Sequence, residues 1–316
     1  MSFAGEVKKE LSKADISINA RRLSECYGLL LYSRRFSKEE IKLKTESMCV
    51  AERFSEHIST LFGAIVEKKS TLRATKEDIN LHSIKVLLQS DCQRIFTSFG
   101  HIPDALTLRI NRANIEDEQC VSAFLRGAFL ACGSVNDPQK NYHLEFCVPY
   151  KNLCNDLCTI MGEVEECNLT PRTTVRNGTH IVYLKDSEQI TDLLTYMGAP
   201  NCAMDIMSAK AYKQMRNITN RRINSELANI SRTAEAGAKI LSAIDVIDTD
   251  RGISSLPDNL RIVAELKRDN PELSLSSLGN LLDPPISRSG VNHRLNKLIE
   301  LADEIRRESG ELNEQR

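Results

Sequence analysis

One helical pattern, centred on a glycine and used twice, constrains this chain more than any other feature. Residues 20–33, ARRLSECYGLLLYS, place Leu23, Tyr27, Leu30 and Leu31 on one face, with Asn19 set to cap the helix. Residues 119–132, QCVSAFLRGAFLAC, repeat the pattern with Phe124, Ala128 and Ala131. Each helix carries one interior glycine, Gly28 and Gly127. An interior helix glycine costs about 1 kcal/mol against alanine. Close approach of two backbones is the reason that offsets it.

The segments downstream of the two glycine helices also correspond. The first helix leads into strand-like EEIKLKTES, helical AERFSEHISTLFGAIV, a hairpin-like STLRAT and DINLHSI, and a closing SDCQRIFTSFG. The second leads into NYHLEFCVP, KNLCNDLCTIM, a hairpin turning at Asn177-Gly178, and SEQITDLLTYMG. The spacing predicts two αββαββα units in tandem, joined by residues 101–118 with Pro103. The expected boundaries are 1–104 and 105–204, then a basic linker at 205–223 and an all-helical region at 224–316. Segment 206–225 holds Lys210, Lys213, Arg216, Arg221 and Arg222 and no acid. Its NITNRRIN stretch (217–224) is rich in weak helix formers, so a break is expected there.

The last region reads as helix, short helix, tight turn, helix. Pro257 opens the first of these, and Asn270-Pro271 ends it. Ser274 caps a short helix, Asp283-Pro284-Pro285 forces a turn, and Ser287 caps a third helix with apolar Val291, Leu295, Leu298 and Ile299. This is helix-turn-helix order, with the motif at about 274–308. Its second helix enters the major groove of duplex DNA, and its first turns meet base edges. Those turns hold Ser287, Arg288, Ser289, Asn292, His293, Arg294, Asn296 and Lys297, while the acids wait until Glu300, Asp303 and Glu304. Arginine pairs bidentately with guanine and asparagine with adenine. Serine, lysine and helix N-terminal amides suit phosphate.

Charge and cysteine content narrow the rest. With 42 Lys and Arg against 43 Asp and Glu, bulk charge attracts no nucleic acid, so binding has to come from local patches. The ten cysteines read as reduced, largely buried hydrophobes. Cys154 and Cys158 lack the second pair that a zinc site needs. No phosphate loop or nucleophile elbow is present. No secretory signal or membrane span is apparent. A cytoplasmic, nucleoid-associated chain without a cofactor or membrane partner is expected. Monomer is expected too, because no heptad run is long enough for a dimerising coiled coil.

SAFLRGAFLACGSV resembles the signature helix of LAGLIDADG homing endonucleases, and the tandem repeat is similar to their pseudo-twofold monomers. The tail LLDPPISRSGVNHRL, with TNRRINSELANISRT, resembles the WhiA family of bacterial regulators over essentially the whole chain. The resemblance implies an α+β fold: a degenerate LAGLIDADG-like module followed by an all-α helix-turn-helix domain. It also implies a transcription regulator of division, chromosome segregation or sporulation. Its partner would be double-stranded promoter DNA, with another transcription or division factor as a second partner. The endonucleases hold divalent metals on a carboxylate at the end of each signature helix, and those metals activate water. Here the matching positions are Ser33 and Cys132, neither an anionic oxygen ligand. Asp137 and Glu145 lie nearby in sequence, but a migrated catalytic pair would be needed twice, so nuclease activity is the lesser expectation. A protein-interaction scaffold is the other alternative. Arg172, Arg176, Lys42, Lys44 and Arg73 are hairpin positions that could face DNA. Direct reading is assigned to the third tail helix, with the five cations of 210–222 as secondary phosphate contacts.

Overall fold

The structure is a computed structural model that describes residues 2–73, 79–102 and 107–314. Pro103 and the 104/105 boundary lie outside the described residues, as does the side chain of Arg73. The chain divides into two compact units, residues 1–215 and 216–316.

The first unit opens with α1 (Phe3–Leu11), followed by the glycine helix α2 (Asn19–Leu31). The first repeat continues with β1 (Arg35–Phe36), β2 (Ile41–Thr45), α3 (Met48–Phe62), β3 (Val66–Arg73), β4 (Ile79–Val86) and α4 (Gln89–Ser98). The second glycine helix, α5 (Glu118–Cys132), is followed by β5 (Gly133–Val135), β6 (Leu144–Val148), α6 (Lys151–Gly162), β7 (Arg172–Arg176), β8 (Thr179–Leu184) and α7 (Ser187–Met197). Each repeat builds one antiparallel four-stranded sheet, and the orders correspond: β1-β2-β4-β3 and β5-β6-β8-β7. The expected tandem α+β architecture is therefore the observed one. The second hairpin turns on Asn177 and Gly178, both at positive φ, as a two-residue turn requires.

One correction is local. Asn19 does not cap α2: it is the first helical residue, Ile18 precedes it, and no side chain caps that end. By contrast, Asp117 does cap α5, its carboxylate accepting from the Cys120 amide at 2.6 Å.

The glycines act as inferred. A Cβ on Gly28 would run into the Phe124 carbonyl oxygen and lie 2.9 Å from the Ala128 nitrogen. A Cβ on Gly127 would meet the Glu25 carbonyl oxygen and lie 2.9 Å from the Leu29 nitrogen. The two helices therefore cross backbone to backbone, and each glycine opens the space for the other helix. Around them Leu29, Leu30, Phe124, Ala128 and Phe129 are wholly buried in one core shared by both repeats.

That core also holds charge, which the hydrophobic pattern did not announce. Glu25, fully buried on α2, accepts from Arg53 (2.6 and 3.0 Å), Arg126 (2.6 Å) and His57 Nε2 (3.0 Å). Arg53 also donates to the carbonyls of Ser12 and Ala14, and Arg126 to that of Met197. The cluster thus joins α1's exit, α2, α3, α5 and the end of α7. Burial alone would raise the Glu25 pKa; the hydrogen bonds from His57 and Arg53 and the Arg126 charge outweigh it and hold it at about 2.

Helix α8 (Pro200–Asp250) corrects the expected break. It runs without interruption through 217–224. The Asn and Thr residues there cost only a few tenths of a kcal/mol each, too little to end a helix extended from both sides. The Arg222–Glu226 pair at 2.9 Å, one helical turn apart, adds local support.

The second unit contains the remainder of α8, then α9 (Asp258–Asp269), α10 (Leu275–Asn280) and α11 (Arg288–Glu314). Ile240, Ile244, Ile247, Leu260, Val263, Leu278, Val291, Leu295 and Leu298 form its separate core.

Candidate nucleic-acid interface

Capping sets the tail helices. Ser274 Oγ accepts from the Ser277 amide at 3.1 Å and starts α10. Ser287 Oγ accepts from the Gly290 amide at 3.2 Å and starts α11. Between them the Ile286 amide donates to the Gly279 carbonyl at 3.1 Å. A Cβ on Gly279 would abut the Ile286 carbonyl oxygen, so the turn can close this tightly only over a glycine.

Helix α11 divides cleanly along its length. Val291, Leu295, Leu298, Ala302 and Ile305 are buried, one row at alternating three- and four-residue spacing. Ser287, Arg288, Ser289, Asn292, His293, Asn296 and Lys297 are exposed. Arg288, Asn292 and Asn296 form one row, and Ser289, His293 and Lys297 the next. Arg288, Asn292, His293 and Lys297 make no side-chain hydrogen bond or ion pair with the described residues. These cations and amides therefore remain available to a ligand, and no acid interrupts the face before Glu300.

Arg294 differs from the rest of the expected set. It is half-buried, and its guanidinium donates to the Asn259 carbonyl at 3.3 Å, tying α11 to the start of α9. Sequence alone could not separate it from Arg288, because the buried row is only one residue away.

The secondary set divides as well. Lys210 pairs with Glu188 at 2.7 Å. Lys213 donates to the Pro138 carbonyl at 2.7 Å and lies 4.9 Å over the Tyr142 ring. Arg222 pairs with Glu226. Arg216 and Arg221 are exposed, without an ion pair among the described residues.

The helix ends that would carry metal carboxylates are chemically filled. Ser33 is buried, its hydroxyl donating to the Leu30 carbonyl at 2.7 Å, with the Arg35 carbonyl at 3.0 Å. Cys132 is partly buried, and burial drives its thiol pKa up, away from the thiolate a metal would need. Asp137 accepts from the Gln139 amide. Glu145 is paired with Arg176 at 2.7 Å and bonded to His143 at 3.0 Å; these contacts outweigh burial and lower its pKa. Among the described residues no group of three or more His, Cys, Asp or Glu could hold a metal ion. The donor set does not fit a catalytic divalent cation.

On the sheets, Lys44 is exposed and Lys42 half-exposed on β2, while Arg172 and Arg176 lie exposed on β7. Arg176 is occupied by Glu145. No described helix is long and apolar enough to cross a membrane.

Fold and site together define a class: a LAGLIDADG-like repeat module without its carboxylates, joined to a C-terminal helix-turn-helix domain. Residues 121–216 match the WhiA LAGLIDADG-like domain, and residues 219–302 the WhiA C-terminal HTH domain. A probable cell division protein WhiA of Alkaliphilus metalliredigens is 34% identical over 98% of this chain and 100% of its own. One from Clostridium botulinum is 32% identical, covering 97% of this chain and 99% of its own. The crystal structure of full-length DUF199/WhiA from Thermatoga maritima matches with a TM-score of 0.59 at 22% identity, over 96% of this chain and 99% of that one. The chain belongs to the WhiA family.

Proposed function

We propose that this chain is a sequence-specific, double-stranded DNA-binding transcription regulator acting in cell division, chromosome segregation or sporulation, without nuclease activity or a cofactor. The observation that carries the reading is the exposed, acid-free face of α11. Arg288 and Asn292 are its base-reading residues, Lys297 and Ser287 meet phosphate, and Ser289 and His293 flank them. Arg294 holds the helix at its angle. Arg216 and Arg221 supply further phosphate contacts along α8, with Lys210, Lys213 and Arg222 contributing only if they leave their present partners. The division role is supported by the names of the relatives. Retained glycines beside filled acid positions support the loss of cleavage. The chain works in the cytoplasm, on the nucleoid.

The test is genome-wide crosslinking of the native chain beside an Arg288→Ala, Asn292→Ala variant. Discrete promoter peaks that vanish in the variant are expected. Peaks that persist would move recognition to the repeat module, and no enrichment would end the DNA reading. Plasmid incubated with magnesium or manganese is expected to stay supercoiled.

A further inference from the structure

The two repeats carry different side chains at the N-terminal end of α5, far along the chain from the helix-turn-helix. A groove of about 320 Å3 opens there, floored by Ile115, Val121, Ile160 and Val164 and flanked by the Tyr196 ring. A second hollow of about 610 Å3 shares Glu118 and Tyr196 with it. Carboxylates line both: Glu118, Glu165, Glu166 and Asp192 are exposed, and none has an ion pair among the described residues. Of the nearby cations, Arg112 is held by Glu163 at 2.8 Å and Arg126 by Glu25, leaving Arg21.

The negative potential registers on neighbouring groups. Burial, then the charges of Asp192, Glu166 and Glu118, push the Cys167 thiol up to about 11. Burial, then Glu118, raises the Tyr196 phenol as well.

The scaffold does not require these residues. Counted from the paired glycines, the first repeat places Asn19 where the second has Glu118, and Arg22 where it has Val121. Counted from the closing glycines, it places Arg94 where the second has Asp192, and Ser98 where it has Tyr196. One fold thus tolerates both sets, and the second repeat joins an apolar floor to an acidic rim whose Glu118, Glu165, Glu166 and Asp192 have no ion pair among the described residues.

We infer that this groove docks a basic, amphipathic segment of a protein partner, with aliphatic side chains on the floor and Lys or Arg against the Glu118, Glu166 and Asp192 rim. Duplex DNA is repelled by the same rim, so this surface and α11 serve different partners. The apolar floor selects against a purely hydrophilic polycation, because such a ligand would leave it wet.

The experiment uses the full chain and a fluorescein-labelled peptide of alternating leucine and lysine pairs, read by anisotropy. An otherwise identical leucine–glutamate peptide is the reference. The triple variant Glu118→Asn, Val121→Arg, Asp192→Arg installs what the first repeat already carries, so it folds by precedent; its melting temperature and DNA affinity check this. Glu265→Arg, an exposed acid in the other unit, controls for bulk charge. Binding of the basic peptide alone, weakened about tenfold or more by the triple variant and little changed by Glu265→Arg, is the expected result. Equal binding of both peptides, equal loss in both variants, or an unaffected triple variant would overturn the proposal. Concentration-dependent self-association in sedimentation that the triple variant abolishes would do so too, by making a second copy the occupant.

Discussion

Replacing Gly127 by alanine tests the central packing argument, because helix propensity and tertiary contact predict opposite signs. By propensity, alanine gains about 1 kcal/mol over glycine inside a helix. By contact, the new Cβ lands on the Glu25 carbonyl oxygen, 3.0 Å from its carbon and 2.9 Å from the Leu29 nitrogen. Backbone cannot rotate aside as a side chain can, so α2 and α5 would have to part by about 1 Å to restore ordinary contact distances. Parting them loosens Leu29, Leu30, Phe124 and Ala128, all fully buried, and pulls on the Glu25 cluster. Overpacking of this kind costs about 1–3 kcal/mol. Taking the upper end, about 3 kcal/mol, for a rigid backbone obstacle and subtracting the propensity gain of about 1 kcal/mol, the net expectation is a loss of about 2 kcal/mol, or roughly 4–8 °C in Tm for the repeat module. The assay is thermal unfolding by calorimetry, with Gly237→Ala as reference. Gly237 lies in α8 with nothing within 4 Å of its added Cβ, so that change should hold or raise Tm. A Gly127→Ala protein melting at or above the native temperature would refute the close-crossing argument.

Glu25→Gln should cost about 3–5 kcal/mol in denaturant unfolding, since it leaves Arg53 and Arg126 buried without their anion. Because Glu25 is held at about 2 against 4.5, its ionised form contributes about 3 kcal/mol, fully present above pH 4.5 and lost as pH falls towards 2. The native denaturation midpoint should fall over that window, and the glutamine variant should lack that share of the fall. Arg288→Ala should weaken specific DNA binding by about 1–3 kcal/mol in a mobility-shift assay without changing Tm. Arg294→Ala should lower Tm as well, because it removes the tie to Asn259. Arg221→Ala should reduce the slope of log affinity against log salt by about 1, whereas Lys213→Ala, already bonded to Pro138, should leave that slope unchanged.

Much of the repeat module was legible because its constraints are local or periodic. Gly28 and Gly127 announced a close crossing, Asn177-Gly178 announced a hairpin, and Ser274 and Ser287 announced two helix starts. The buried cluster was less legible. Glu25 and Arg126 stand inside otherwise apolar signature helices, which is the signal that could have flagged them as partners, but their sequence separation hides the pairing. Helix α8 went the other way: local propensity spoke for a break, and continuity from both flanks prevailed. Within the expected DNA-contacting set, residue type identified the α11 cluster, whereas burial and bonding distinguished free Arg288 from Arg294, and free Arg221 from Lys213.

Residue identity at fixed spacing was enough for the two-repeat plan, the helix-turn-helix order and the absence of carboxylates at positions 33 and 132. Which charges are spent internally emerged from the folded chain alone. Hydrogen bonding and desolvation depend on neighbours distant in the chain, so a lysine or arginine read from sequence is a cation whose partner is not yet known.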